Sequence, residues 1–179
     1  IPYVITLHST EWGRCGNNFS TDYIPREIAH REWLAGYESA MVITTTQRMK
    51  DELMMLYQIP PEKIEIIPNG LVIGSFRRAV DPGRVKERHG IHPLAPVVLF
   101  CGRMNYQKGP CILVEAMPSI LARHWDAKFV FIGDGEMRSE CERRARELGV
   151  EGSCIFLGYI PSNVKEEWMN ACDMVCLPS

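Results

Sequence analysis

In the stretch Gly102-Arg103-Met104-Asn105-Tyr106-Gln107-Lys108-Gly109, two cations stand in one short polar loop bracketed by glycines. Arg103 offers a planar fork of donors that suits phosphate oxygens, and Lys108 adds a mobile point charge. Gly102 lets the backbone come close to a ligand. Pro110 opens the helix-period segment that follows, so a helix N-terminus, with its partial positive charge, would lie beside both cations. Such a loop suits an anion with several phosphate oxygens. A second loop, Gly133-Asp134-Gly135-Glu136, is not a G-x-G-x-x-G fingerprint. It reads as a tight turn with Asp134 capping the next helix, or as a close backbone approach to a nucleotide; both can hold. His8 stands directly after an apolar run. It can donate to a hydroxyl or phosphate at a strand end, or be satisfied by neighbouring backbone. Glu11 and Arg14 could pair and order the loop behind it. There is no G-x-S-x-G, H-E-x-x-H or cysteine cluster, so hydrolase triads and zinc sites have no support, and no metal is expected.

These residues need a scaffold that brings loops to one edge. The pattern supplies it: apolar, partly β-branched runs that stop at a polar loop, each followed by helix-period sequence. Strands are predicted at Tyr3–Leu7, Met41–Thr44, Ile64–Ile67, Val97–Cys101, Phe129–Ile132, Ile155–Leu157 and Met174–Leu177. Helices are predicted over about 26–38, 47–57 and 85–89, and from Pro110, with a long loop from His8 to about Ile24. In the helix after Pro110, Ile112, Leu113, Ala116, Met117, Ile120 and Leu121 form the stripe expected to cover the sheet. Strand–helix alternation favours right-handed crossovers, hence an α/β fold with parallel sheets and ligands at the carboxyl ends of the strands. Pro68-Asn69-Gly70 turns the chain sharply between two such stretches. The expected division is 1–70, a linker over 71–96, and 97–179.

The chain has 179 residues, of which 46% are hydrophobic, and a formal net charge of −2. That charge argues against a nucleic-acid surface, which needs a basic stripe. No apolar run reaches the roughly 20 residues of a membrane span. Seven cysteines are scattered without C-x-x-C, and read as small buried hydrophobes in a reducing cytoplasm.

Taken in order, VITLHSTEWGR, KIEIIPNGL, VVLFCGRMNYQKG, FVFIGDGE, CIFLGYIP and ACDMVCLPS resemble the GT-B glycosyltransferases of family 4 over nearly the whole chain. The resemblance implies two Rossmann-like domains facing across a cleft: an acceptor-side domain ending near residue 70 and a donor-binding domain from 97. It implies that Arg103 and Lys108 hold the donor diphosphate and that Gly102, Gly133, Asp134 and Gly135 line the donor site. Tyr159 and Ile160 would pack near the nucleobase, and His8 would reach the transferred sugar. HSTEWGRCGNN, with IAHREWLAGYESA behind it, is similar to members that build α-glucans, where the text after the histidine is like ATEYGR. The implied activity is transfer of a hexose, glucose in this reading, from a nucleotide-diphosphate sugar to a glycan or small-molecule acceptor. Anomeric configuration would be retained, with no cofactor and no metal, in the cytoplasm. The family's E-x7-E segment and first glycine loop are absent from these residues. The expectation is therefore a chain truncated at both ends and, as a piece, inactive. The alternatives are a nucleotide-sugar epimerase or a non-catalytic binding module on the same fold.

Overall fold

The strands form where β-branched and aromatic residues are densest. In a computed structural model, which describes residues 1–70 and 80–179, all pairings between strands are parallel. The chain divides into two compact units, Ile1–Leu71 and Val72–Ser179.

In the first unit β1 (Val4–Leu7), β2 (Met41–Thr44) and β3 (Ile64–Ile66) lie in the order β1-β2-β3. The loop after β1 is not wholly irregular. It contains a single-turn helix, α1 (Glu11–Arg14), because Thr10 accepts the Gly13 N–H with its side chain. Helix α2 (Tyr23–Glu38) starts before the expected Arg26; Pro25 fits its first turn, where no N–H is needed. Helix α3 (Gln47–Tyr57) is capped by Thr46, whose hydroxyl takes the Met49 N–H. It buries Leu53 and Tyr57 against Val42, Ile59 and Ile64.

In the second unit β4 (Val97–Cys101), β5 (Lys128–Ile132), β6 (Cys154–Gly158) and β7 (Met174–Val175) lie in the order β6-β5-β4-β7. Alternation sorts the two faces. Phe100, Phe129 and Phe131 pack under α5 (Pro110–Leu121) and α6 (Arg138–Glu147). Val97, Leu99, Val130 and Ile132 pack under α4 (Pro82–Glu87) and α7 (Ser162–Ala171). The stripe of α5 differs from expectation. Leu113, Val114 and Met117 are buried while Ile112 is 59% exposed, so the covering face is rotated away from Ile112.

Residues 80–96, read from sequence as part of a linker, pack on the second unit. Val85, Ile91 and Ala95 enter its core. Lys86, 4% exposed, donates to the Ala95 carbonyl at 2.9 Å and to Asp173 at 3.0 Å, and Asp173 also takes the Val97 N–H. These contacts tie α4 to the strand ends. Residues 71–79 of the expected linker lie outside the described residues. No helix among the described residues is long and apolar enough to cross a membrane.

Candidate functional site

The strand order of the second unit reverses at β4. From there the chain builds outward to β5 and β6, then returns to the other side for β7. Parallel sheets leave a crevice at such a point, outside the carboxyl ends of the strands. The loop after β4 stands there, and it carries Arg103 and Lys108.

A hollow of about 490 Å³ opens at the ends of β4, β5 and β6. Of the residues expected at the site, Gly102, Arg103, Gly133, Asp134, Tyr159 and Ile160 line it. Arg103 is exposed and, among the described residues, has no carboxylate partner. Tyr159 is 90% exposed, an aromatic face free to stack. Lys108 and Gly135 are not in the lining. Lys108 sits on a 3-10 turn (Tyr106–Lys108) held by Asn105, whose side chain accepts the Lys108 N–H at 3.1 Å. Gly109 follows with φ of 61°, and a Cβ there would lie 2.9 Å from the Pro178 carbonyl oxygen. The loop therefore has two sides, with Arg103 facing the hollow and Lys108–Gly109 beside the chain that leaves β7.

The second glycine loop serves the first. Gly133 has φ of 123°, and a Cβ on it would fall 1.9 Å from the Gly102 carbonyl oxygen. Backbone bonds carry the pairing past the strand ends: Gly102 N–H to the Ile132 carbonyl at 2.9 Å and Met104 N–H to the Asp134 carbonyl at 2.9 Å hold the first loop to the second, and Gly133 N–H to the Gly158 carbonyl at 2.8 Å ties the second to the end of β6. The close approach at Gly133 is thus to another loop of the same site. Asp134 does not cap α6. One of its oxygens accepts the Gly135 N–H and the other lies 3.4 Å from Arg138, so the one carboxylate in the lining is already partnered.

The sequence reading missed Cys101, Ser162 and Lys165, which also line the hollow. Lys165 is in the first turn of α7. Helical side chains lean back toward the N-terminus, so this one reaches over the turn that faces the strand ends. Its ammonium stands close enough to the Cys101 thiol to oppose the rise that burial causes there. That lean was the available signal, since Lys165 stands only a few residues past Tyr159-Ile160.

In the first unit His8 is at the carboxyl end of β1. It is exposed, and among the described residues its ring has no hydrogen-bond partner. The segment behind it is held firmly. Arg14 bonds Glu11 at 2.6 Å, Ser9 at 2.6 Å, and also Glu32. Glu32 further accepts the Glu11 N–H at 2.8 Å and the Tyr57 hydroxyl at 2.7 Å. Burial, with the bond to Glu32, pushes the Tyr57 phenol well above its usual range. The Glu11–Arg14 pair was expected; Glu32 and Tyr57, distant in sequence, were not. Among the described residues no group of three His, Cys, Asp or Glu side chains is placed to hold a metal ion.

Residues 95–179 match the model of the group 1 glycosyl transferases, and residues 1–73 match that of Glycosyltransferase Family 4. The chain belongs to the group 1, family 4 glycosyltransferases. Its fold is the GT-B type, with two Rossmann-like α/β units and parallel sheets. An uncharacterized glycosyltransferase of Methanocaldococcus jannaschii is 36% identical over all of this chain and 46% of its own. The 2-deoxystreptamine glucosyltransferase of Streptomyces kanamyceticus is 26% identical over all of this chain and 47% of its own. The chain therefore spans about half the length of the curated glycosyltransferases it matches. Among solved structures, HepE of Anabaena in complex with UDP-glucose superposes with a TM-score of 0.81 at 24% identity, over 99% of this chain and 47% of that one. Sucrose-phosphate synthase of Thermosynechococcus elongatus superposes with 0.79 at 19% identity, over 100% of this chain and 45% of that one.

Proposed function

We propose that the complete protein transfers a hexose, glucose in our reading, from a nucleoside-diphosphate sugar to a glycan or small-molecule acceptor, with retention at the anomeric carbon. Membership in the family supports transfer. The observation that carries the donor class is the hollow itself. It has two cations, Arg103 and Lys165, without carboxylate partners among the described residues, and an aromatic face at Tyr159, while the one carboxylate in its lining, Asp134, is paired with Arg138. A diphosphate with an attached base matches that charge and shape. HepE, whose fold is similar, has been crystallised with UDP and with UDP-glucose.

In this reading Arg103 and Lys165 hold the diphosphate from the hollow, and Lys108 reaches it from the β7 side of the loop. The bond from the anomeric carbon to phosphate breaks and negative charge grows on the diphosphate. Fixed cations favour that change, at about 3 kcal/mol for one preorganised donor. The acceptor oxygen bonds the anomeric carbon and its proton passes to the leaving phosphate oxygen, so no side-chain base is required. His8, unpaired among the described residues, donates to the transferred sugar. The first unit serves as the acceptor side, and the second, with residues 80–96 packed on it, as the donor side.

The test is product analysis. The complete enzyme is incubated with a series of nucleoside-diphosphate hexoses, and the new linkage is read by proton NMR. An α-linked product from an α-linked donor, with one nucleoside diphosphate released per bond, is expected. A β-linked product overturns retention. An epimerised donor, or binding without turnover, returns the site to the epimerase or the binding module.

A further inference from the structure

Helices α5 and α6 lie side by side over one face of the second sheet and carry a pair of thiols that nothing in the transfer chemistry uses. The Sγ atoms of Cys111 and Cys141 are 2.8 Å apart, against roughly 2.05 Å for a disulfide bond. Cys111 is in the first turn of α5, partly exposed, just after the Lys108–Gly109 corner. Cys141 is fully buried between the helices. One turn further along, Glu115 of α5 pairs with Arg144 of α6, with one contact at 3.1 Å. Thiol pair and ion pair on successive turns mean that the helices run alongside each other in step, so the sulfurs are brought together by helix packing.

We propose that Cys111 and Cys141 form a reversible disulfide, with a low-molecular-weight disulfide as the oxidant. The Cys111 thiolate attacks the small disulfide, one small thiol leaves, and a mixed disulfide stands on Cys111. The sulfur of Cys141 then attacks Cys111, its proton goes to the departing small thiolate, and the bridge closes. Two protein thiols are oxidised, and one small disulfide is reduced to two thiols. The order follows from access. Burial, reinforced by the contact with Cys111, holds the Cys141 thiol far above its ordinary range, so it is a poor first nucleophile. Its proximity makes it an effective second one. Cys154, packed against the same core, has its pKa pushed up to about 12 by burial and bonds toward Met117 and Val150. The bridge would fasten the first turn of α5, directly after the Lys108 loop, to α6.

The test treats the complete protein with oxidised glutathione, quenches in acid, alkylates, and maps the unreduced peptides by mass spectrometry. The expected result is a cross-link joining the Cys111 and Cys141 peptides, with both thiols unalkylated. Cys154→Ala should give the same cross-link, and Cys141→Ala should leave glutathione on Cys111. The bridged protein should melt about 5 °C or more above its reduced form. Alkylation of both Cys111 and Cys141 after treatment, or a cross-link from either one to another cysteine, overturns the proposal; the wild-type map alone decides this even if a variant fails to fold.

Discussion

Arg103 and His8 ask different things of their surroundings. In the proposed reaction Arg103 meets a charge that grows as the donor bond breaks, so its loss should be felt in turnover. Arg103→Ala in the complete enzyme is expected to lower kcat/KM about 10²-fold or more, measured by release of nucleoside diphosphate. Lys165→Met, which keeps the packing of the stem, is expected to weaken nucleoside diphosphate binding several-fold by calorimetry while leaving binding of the free nucleoside alone. Equal affinities for the diphosphate would remove Lys165 from the site. His8 is exposed and, among the described residues, unpaired, so its ring N–H is available. His8→Ala should lower kcat while diphosphate affinity stays within about twofold, because the proposed contact, made only in the transition state, does not hold the ground state. A normal kcat would make His8 a bystander.

Loops and strands were not equally legible. β2, α3 and β4 follow the sequence pattern to the residue, because each is bounded by a clear change of period or a capping hydroxyl. β7 is shorter than expected because pairing with β4 closes at Leu99↔Val175 and Pro178 has no N–H to extend it. The hollow was legible where a loop follows a strand, at Gly102, Gly133 and Tyr159. It was not legible where a helix leans back into it, at Lys165. The role of Gly133 was half visible: the need for glycine is in the sequence, its partner is not. Gly133→Ala should cost about 3 kcal/mol or more in denaturant unfolding, since its Cβ would strike the Gly102 backbone at a φ of 123°. The α4 tie gives an acid-sensitive contact. Burial would raise the Asp173 carboxyl, but the Val97 N–H and Lys86 outweigh it and hold it below the usual range. A carboxylate depressed by folding adds stability above its unfolded pKa, near 3.9, and loses it as pH falls through the folded value. Because the Asp173 side chain is 57% exposed and its pairing is screened by solvent, Asp173→Asn should remove only about 0.5–1 kcal/mol at neutral pH and flatten the stability profile below about pH 4.

At the scale of the whole molecule, the described residues leave much apolar surface bare. Tyr23, Ile24 and Tyr37 on α2 are 69–77% exposed, and Val4 on β1, an edge strand, is 55% exposed. Such a face and such an edge favour association. Residues 1–179 are expected to form oligomers in analytical ultracentrifugation; a monodisperse monomer at every concentration would contradict this. The central claim is that a nucleoside diphosphate seats itself on the Arg103 hollow through fixed cations. Its most direct test is calorimetric titration of the complete protein with nucleoside diphosphates in the presence of EDTA, for wild type and Arg103→Ala. Saturable binding by the wild type, weakened at least tenfold by the substitution (about 1.4 kcal/mol), is the predicted result. Equal affinity in the two proteins, or binding that vanishes with EDTA, would contradict it.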